Sequence, residues 1–416
     1  MAISLSEGAL KANDMWDRSV PLEETFALIP QLRKRYGITR IGDTTFLDRT
    51  GIPNFCAVVP NTDDLITVYN GKGLTREAAI VSAVMEAVER QVAVRPKLPT
   101  FRESIPNVQR FIDLDVLALL PEARDLIVDC VEGTNLLTGA TGPVPLALVQ
   151  CPWFGDRLFR FTSTNGLASG NTLTEALYHA LTELVERHTW SMYQGKCHLL
   201  PRIYFGPNAE DLPLAKMIQL PSGMPVIDEL VSAVQSAGLT IRARWLEEKF
   251  LPVTMIASIT ESGLDMPMAH MGFGCSLNPV HALVRAITEA VQSRVVDIQA
   301  AREDILRPDD PRGIVSDHAR RLKWIPRNQW YHDLPAEEAP LHCVPDESTP
   351  DVATDLQRVL AALEKIGIPQ VIAVDISGRQ EPVSVARVIV PEFETLALNG
   401  RIGPRIHSLF NPFSIT

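Results

Sequence analysis

The chain has 416 residues, 46% of them hydrophobic and 21% charged, and a formal net charge of −11. This mixture excludes a disordered or low-complexity chain and supplies enough apolar material for one large or two ordinary cores. Its acidic balance, with basic residues dispersed rather than clustered, argues against nucleic-acid binding by phosphate neutralisation.

The opening MAISLSEGALKANDMW has no basic stretch followed by an unbroken apolar core. No later segment offers about 18 consecutive apolar residues, so a cytoplasmic protein without membrane contact is expected. Residues 1–47 read as an N-terminal extension of mixed polar and helical character. Short apolar runs bounded by Pro and Asn predict strands at 55–60 (FCAVVP) and 65–69 (LITVY), and similar runs predict strands at 145–151 (PLALVQC) and 159–163 (FRFTS). A periodic segment predicts a helix over 225–237 closed by Gly238, with strands at 239–245 and 253–260. Residues 307–350 hold seven prolines and many charges, which predicts an irregular connection or insertion with one short helix at most. Thr349 is a candidate cap for a helix with Pro350 in its first turn and Gly367 past its last, leading into strands at 371–377 and 383–390. The alternation of elements is α/β, of the mixed α+β kind. The six cysteines are scattered without a C-x-x-C pair, which excludes the usual zinc or redox spacing and a disulfide framework.

Three segments align with one another: GLTREAAIVSAVMEAVERQ from Gly73, GNTLTEALYHALTELVERH from Gly170 and NPVHALVRAITEAVQSRVV from Asn278. Each places an Ala seven residues before a Glu and a second carboxylate or amide three residues after it. The triplets are Ala79-Glu86-Glu89, Ala176-Glu183-Glu186 and Ala282-Glu289-Gln292. Residues three apart share a helix face, so each of the first two helices presents two oxygen ligands together. Four carboxylates on neighbouring helices repel one another unless cations lie between them. Mg2+ suits that role, because it takes hard oxygen ligands and commonly combines carboxylates with nucleotide phosphates. A single E-x-x-E-R is ordinarily a solvated helix face, so the repetition carries the inference. Glycine-rich stretches enter each helix: NGKGLT (70–75), STNGLASGNT (163–172) and GFGCSLN (272–278). None is a P-loop, although Lys72 offers a point charge for phosphate. His179, His188 and His281 lie beside the repeats and Cys275 within the third entry; packing and local hydrogen bonding are the readings adopted for them.

Taken in order, DRTGIPN (48–54), GKGLTREAAIVSAVMEAVER (71–90), TNGLASGNTLTEALYHALTELVER (164–187), GFGCSLNPVHALVRAITEAVQSRVVDIQAARED (272–304) and VARVIVPEFE (385–394) resemble the motifs of the YcaO family. The resemblance runs from about Asp48 to Arg405, which gives a YcaO-type catalytic domain over 48–405 and a tail over 406–416. It implies a fold of repeated helix and strand units around a site for ATP and Mg2+. It further implies Glu86, Glu89, Glu183 and Glu186 as the magnesium-associated acids, and Lys72, Ser82, Asn171, Glu175, Arg187, Gln292 and Arg294 as nucleotide contacts. Glu289 and Arg294 carry the catalytic expectation, with Arg294 neutralising phosphate during transfer.

The chemistry implied by the family is activation of a backbone amide of a peptide or protein, whose oxygen is phosphorylated and then eliminated after a nucleophile has added. A Cys, Ser or Thr side chain gives an azoline, a sulfide equivalent a thioamide, and an amine an amidine. The chain lacks a fused zinc-binding peptide-recognition region, so a separate E1-like or TfuA-like partner is expected, and a homodimer is consistent with the family. Its end, GPRIHSLFNPFSIT, lacks the P-x-P-x-P element of family cyclodehydratases, which favours partner-dependent thioamidation over azoline formation. A non-catalytic nucleotide-binding scaffold and a ligase acting on small molecules are the alternatives.

Overall fold

The structure, a computed structural model, describes residues 3, 9–12, 16–160, 163–261, 269–300, 331–378 and 381–410. Three sheets organise them. The first joins β1 (Arg40–Asp43), β2 (Asn54–Val58) and β3 (Val68–Lys72) as an antiparallel meander. The second runs in the order β11 (His270–Ser276), β10 (Val253–Glu261), β9 (Leu239–Leu246), β8 (Lys216–Ile218), β12 (Glu337–Ala339), and its last pair is parallel. The third runs β4 (Phe101–Ser104), β5 (Ile127–Asn135), β13 (Ile372–Asp375), β14 (Ser384–Ile389), β7 (Leu167–Gly170), with β6 (Thr141–Pro145) also paired to β5.

Three long helices lie against these sheets: α1 (Arg76–Val94), α2 (Leu173–Gln194) and α3 (Pro279–Ala300). They are the three aligned segments, and each begins the same way. Thr75 Oγ1 accepts from the Ala78 N–H, Thr172 Oγ1 from the Glu175 N–H, and Asn278 Oδ1 from the His281 N–H. One orphan donor at each start is thereby satisfied. The strand glycines set how closely helix and sheet approach. A Cβ on Gly71 would stand 2.1 Å from the Ala83 nitrogen, and one on Gly272 2.1 Å from the Ala290 nitrogen, so β3 and β11 lie flush on the alanine faces of α1 and α3. The alanines that recur in the alignment are thus the contact surface of each unit.

The helix over Pro225–Ser236 and the strands that follow it agree with the sequence expectation, and Gly238 takes a left-handed φ of 74°. Three local expectations are corrected. Residues 146–149 form a single helical turn after β6, because a short apolar run fits a buried helix as well as a strand. Phe159 makes only an isolated bridge to Leu119, while residues 161–162 lie outside the described ones. The helix α4 (Val352–Lys365) is capped by Asp351 rather than Thr349: Asp351 accepts from the Thr354 N–H at 2.7 Å, and Thr349 donates its hydroxyl to Asp355. Of the proline-rich connection, residues 307–330 lie outside the described residues, and part of the remainder forms β12. No helix among the described residues is long and apolar enough to cross a membrane.

Candidate functional site

Faces of α1, α2 and α3 converge on a cavity of about 730 Å3, closed on another side by residues of the N-terminal segment, including Trp16, Arg18 and Thr25. Residues one turn apart on a helix share a face, which is why Ser82, Glu86 and Glu89 line it from α1, and Glu183, Glu186 and Arg187 from α2. Glu289 and Lys72 complete the acidic end, where Lys72 Nζ donates to Glu289 Oε2. Arg187 Nε lies 3.5 Å from Glu186 Oε1, and its Nη2 4.0 Å from Glu289 Oε1. Glu89 accepts from the Ser169 N–H at 3.0 Å, which ties the end of β7 to the acidic face of α1.

The charges around this cavity do not balance. Burial raises the proton affinity of Glu86 to about 7, against the opposing pull of Arg90 and Lys72. Burial likewise takes Glu183 to about 7, with Arg187 pulling down and Glu186 pushing up. Glu89 is pushed well above the carboxylate range by burial and by the charges of Glu183 and Glu86, and Glu186 is raised by burial and by Glu289. Glu289 departs in the other direction: burial raises it, but Lys72 and Arg187 outweigh that and leave it below the usual value. Four of the five acids therefore lack adequate compensation.

That deficit is what a divalent cation would repair, and the donor set suits Mg2+. Among the described residues no group of three His, Cys, Asp or Glu side chains stands close enough to hold a metal by itself.

Of the residues expected from sequence, Lys72, Ser82, Glu86, Glu89, Asn171, Glu183, Glu186, Arg187 and Glu289 all line the cavity. Three do not. Gln292 lies half-buried one turn past Glu289, outside the lining. Arg294 lies outside the lining in a buried pair: its Nε and Nη2 each lie 3.0 Å from Asp48 and Glu261 respectively. The reason is helical phase, since five residues turn Arg294 to a different face from Glu289. The DRTGIPN motif that begins at Asp48 is thereby fastened to α3.

Glu175 also stands apart from the lining. It is fully buried and saturated by the N-terminal segment. Its Oε1 accepts from Ser19 N–H and Oγ–H at 2.8 and 2.7 Å and from Val20 N–H at 3.2 Å, while Oε2 accepts from Asn171 N–H at 3.0 Å. Arg18 pairs with the same Oε2 at 3.4 Å. These contacts hold the carboxyl below its usual range despite burial. The adjacent Asp17 is buried between Lys11 at 2.9 Å and His281 Nδ1 at 2.7 Å, and Lys11 reaches Asp355 of α4 at 2.7 Å. The N-terminal segment is accordingly a fixed wall of the cavity, clamped to α2, α3 and α4.

Sequence reasoning missed Arg18 and Trp16, which lie outside every repeat, and Arg285, which lines the cavity from α3. Arg285 was discoverable: it occupies in the third repeat the place of Ser82 in the first. Cys275 matches its inert reading, being 1% exposed with a thiol pushed above its usual range by burial.

Residues 70–394 match the family described as YcaO cyclodehydratase, ATP- and Mg2+-binding. A protein of Methanothermobacter thermautotrophicus is 33% identical over 95% of this chain and 100% of its own length. A Rhizobium leguminosarum bv. trifolii protein described as lying in the tfuA 3′ region is 32% identical over 95% of this chain and 92% of its own. Among solved structures, YcaO from Methanopyrus kandleri bound with AMPPCP and Mg2+ superposes with a TM-score of 0.69 at 23% identity, over 95% of this chain and 98% of that one.

Proposed function

The chain belongs to the YcaO family, an ATP- and Mg2+-dependent family, and from that premise we propose that it activates a backbone amide of a peptide or protein by phosphorylating the amide oxygen. The observation that carries the proposal is the group of four under-compensated carboxylates on two helices, Glu186 buried and the others half-buried, with Lys72 and Arg187 at their edge.

When bound, ATP supplies the phosphoryl group that turns the amide oxygen into a leaving group, and Mg2+ neutralises phosphate charge. The chain's own part is positioning. Glu86, Glu89, Glu183 and Glu186 would hold the Mg2+ ions and Lys72 and Arg187 would screen phosphate charge, while Glu289 pairs with those two side chains and keeps them in place. The clamped N-terminal segment closes one side and limits water. The catalytic unit spans residues 48–405, with residues 16–25 contributing a wall.

We take sulfide to be the nucleophile, delivered with the help of a separate TfuA-like partner. The relative from the tfuA 3′ region supports this choice. The second reading, an azoline formed by a Cys, Ser or Thr side chain, is favoured by the cyclodehydratase description of the family. Mass analysis of a peptide treated with the protein, a TfuA-like partner, Mg-ATP and sulfide separates them. Replacement of one oxygen by sulfur is expected. Loss of one water without sulfide would make azoline formation the activity, and an unchanged peptide beside ATP turnover driven only by a small amine or acid would make the protein a small-molecule ligase.

A further inference from the structure

Each of the three helices places a hydrogen-bonding side chain four residues before its first acid, and all of these line the cavity: Ser82 before Glu86, His179 before Glu183, Arg285 before Glu289. Four residues are about one turn, or ~6 Å along the axis. Beside its carboxylates the cavity thus offers a hydroxyl, an imidazole and a guanidinium. Such groups suit the oxygens of a phosphate chain, and the carboxylates suit the cations that accompany it.

His179 is the least explained member. It is 8% exposed, and its Nε2 is buried with no hydrogen-bond partner. Such a polar atom costs about 1–3 kcal/mol unless something pairs with it. Arg285 Nη1 lies 3.4 Å from His179 Nδ1. A guanidinium only donates, so Nδ1 is the accepting nitrogen and the proton of the neutral ring sits on Nε2. Burial, with Arg18 and Arg285 nearby, holds the ring far below its ordinary value and so neutral. The unpartnered atom is consequently a buried N–H donor on a residue that lines a nucleotide-sized cavity. The identical position in α1 is a serine, so packing of the helices does not itself demand an imidazole there.

We propose that His179 is a nucleotide-binding residue whose Nε2–H, together with the Ser82 hydroxyl and the Arg285 guanidinium, holds the phosphates retained in the diphosphate product. The proposal rests on the ATP reading of the cavity and adds which groups grip the part of the nucleotide that is not transferred. Arg285 both contacts phosphate and sets the tautomer of His179.

Calorimetric titration with Mg-ADP, and separately with adenosine, tests it on the full chain. His179→Leu is expected to weaken Mg-ADP binding about tenfold, the equivalent of one lost hydrogen bond to a charged group, and to leave adenosine binding unchanged. His179→Gln, whose amide reaches the Nε2 position, is expected to restore ADP binding. His179→Asn, which stops short of it, is expected to show the same loss as leucine and keeps the test available should leucine unfold the helix. ADP binding at wild-type strength in Asn, or equal losses for ADP and adenosine, overturns the proposal while leaving the ATP reading intact. A wild-type chain that binds neither Mg-ADP nor Mg-ATP overturns both.

Discussion

Glu86→Gln and Glu183→Gln are each expected to weaken Mg-ATP binding by about a hundredfold, on the order of 3 kcal/mol. The amide keeps size and helix packing but removes a negative charge from a site whose purpose is to hold cations. The same carboxylates make the wild-type affinity depend on pH. With no cation present Glu86 and Glu183 retain their protons up to about pH 7 because burial disfavours their charge. A metal must displace those protons, so affinity rises from about pH 6 to pH 8 and then levels off. Each Gln variant loses one titrating ligand and flattens the rise. Affinity that falls with increasing pH would contradict this assignment. Global stability reports poorly on these acids. Their raised values cost stability as pH rises from the ordinary carboxylate value through about 7. His188 and His332, held at about 3 and about 4 mainly by burial, act oppositely: stability lost at low pH returns as pH rises through the ordinary imidazole value.

Glu175→Ala is expected to release the N-terminal wall. The substitution strips partners from three backbone N–H groups, those of Ser19, Val20 and Asn171, and from the Ser19 hydroxyl. Arg18 is 42% exposed, so water screens its loss and the amides carry most of the effect. The cost is about 3 kcal/mol, shared between folding and closure of the cavity. Two readouts follow: a lower midpoint in denaturant, and faster proteolytic cleavage between residues 9 and 20. Mg-ATP slows that cleavage only if the segment closes over bound nucleotide. A variant with wild-type stability and wild-type cleavage would show that the buried contacts of Glu175 do not hold the segment.

The acidic helices were legible because their chemistry is periodic: identical spacing in three segments fixes both the helix face and the acids on it. Their caps and glycine contacts repeat for the same reason. Features without a period were harder to read. The N-terminal wall depends on pairings such as Ser19 with Glu175, more than 150 residues apart, which no local pattern announces. The pairing of Arg294 was hidden because a motif gives neighbours in sequence, whereas the helix turns it toward Asp48 and Glu261. His179 was readable as a position but not as a donor, since its vacancy appears only once Arg285 and the cavity stand beside it. The 146–149 turn shows the remaining limit, because four apolar residues satisfy either period.

Amide activation is tested most directly by following one oxygen atom. A peptide substrate carrying a heavy-oxygen label in its reacting carbonyl is incubated with the protein, a TfuA-like protein, sulfide and Mg-ATP, and the released inorganic phosphate is weighed. Phosphorylation of the amide oxygen places the label in phosphate, one atom for each modified amide. Modified peptide accompanied by unlabelled phosphate would mean that ATP is spent elsewhere and that the amide oxygen leaves by another route.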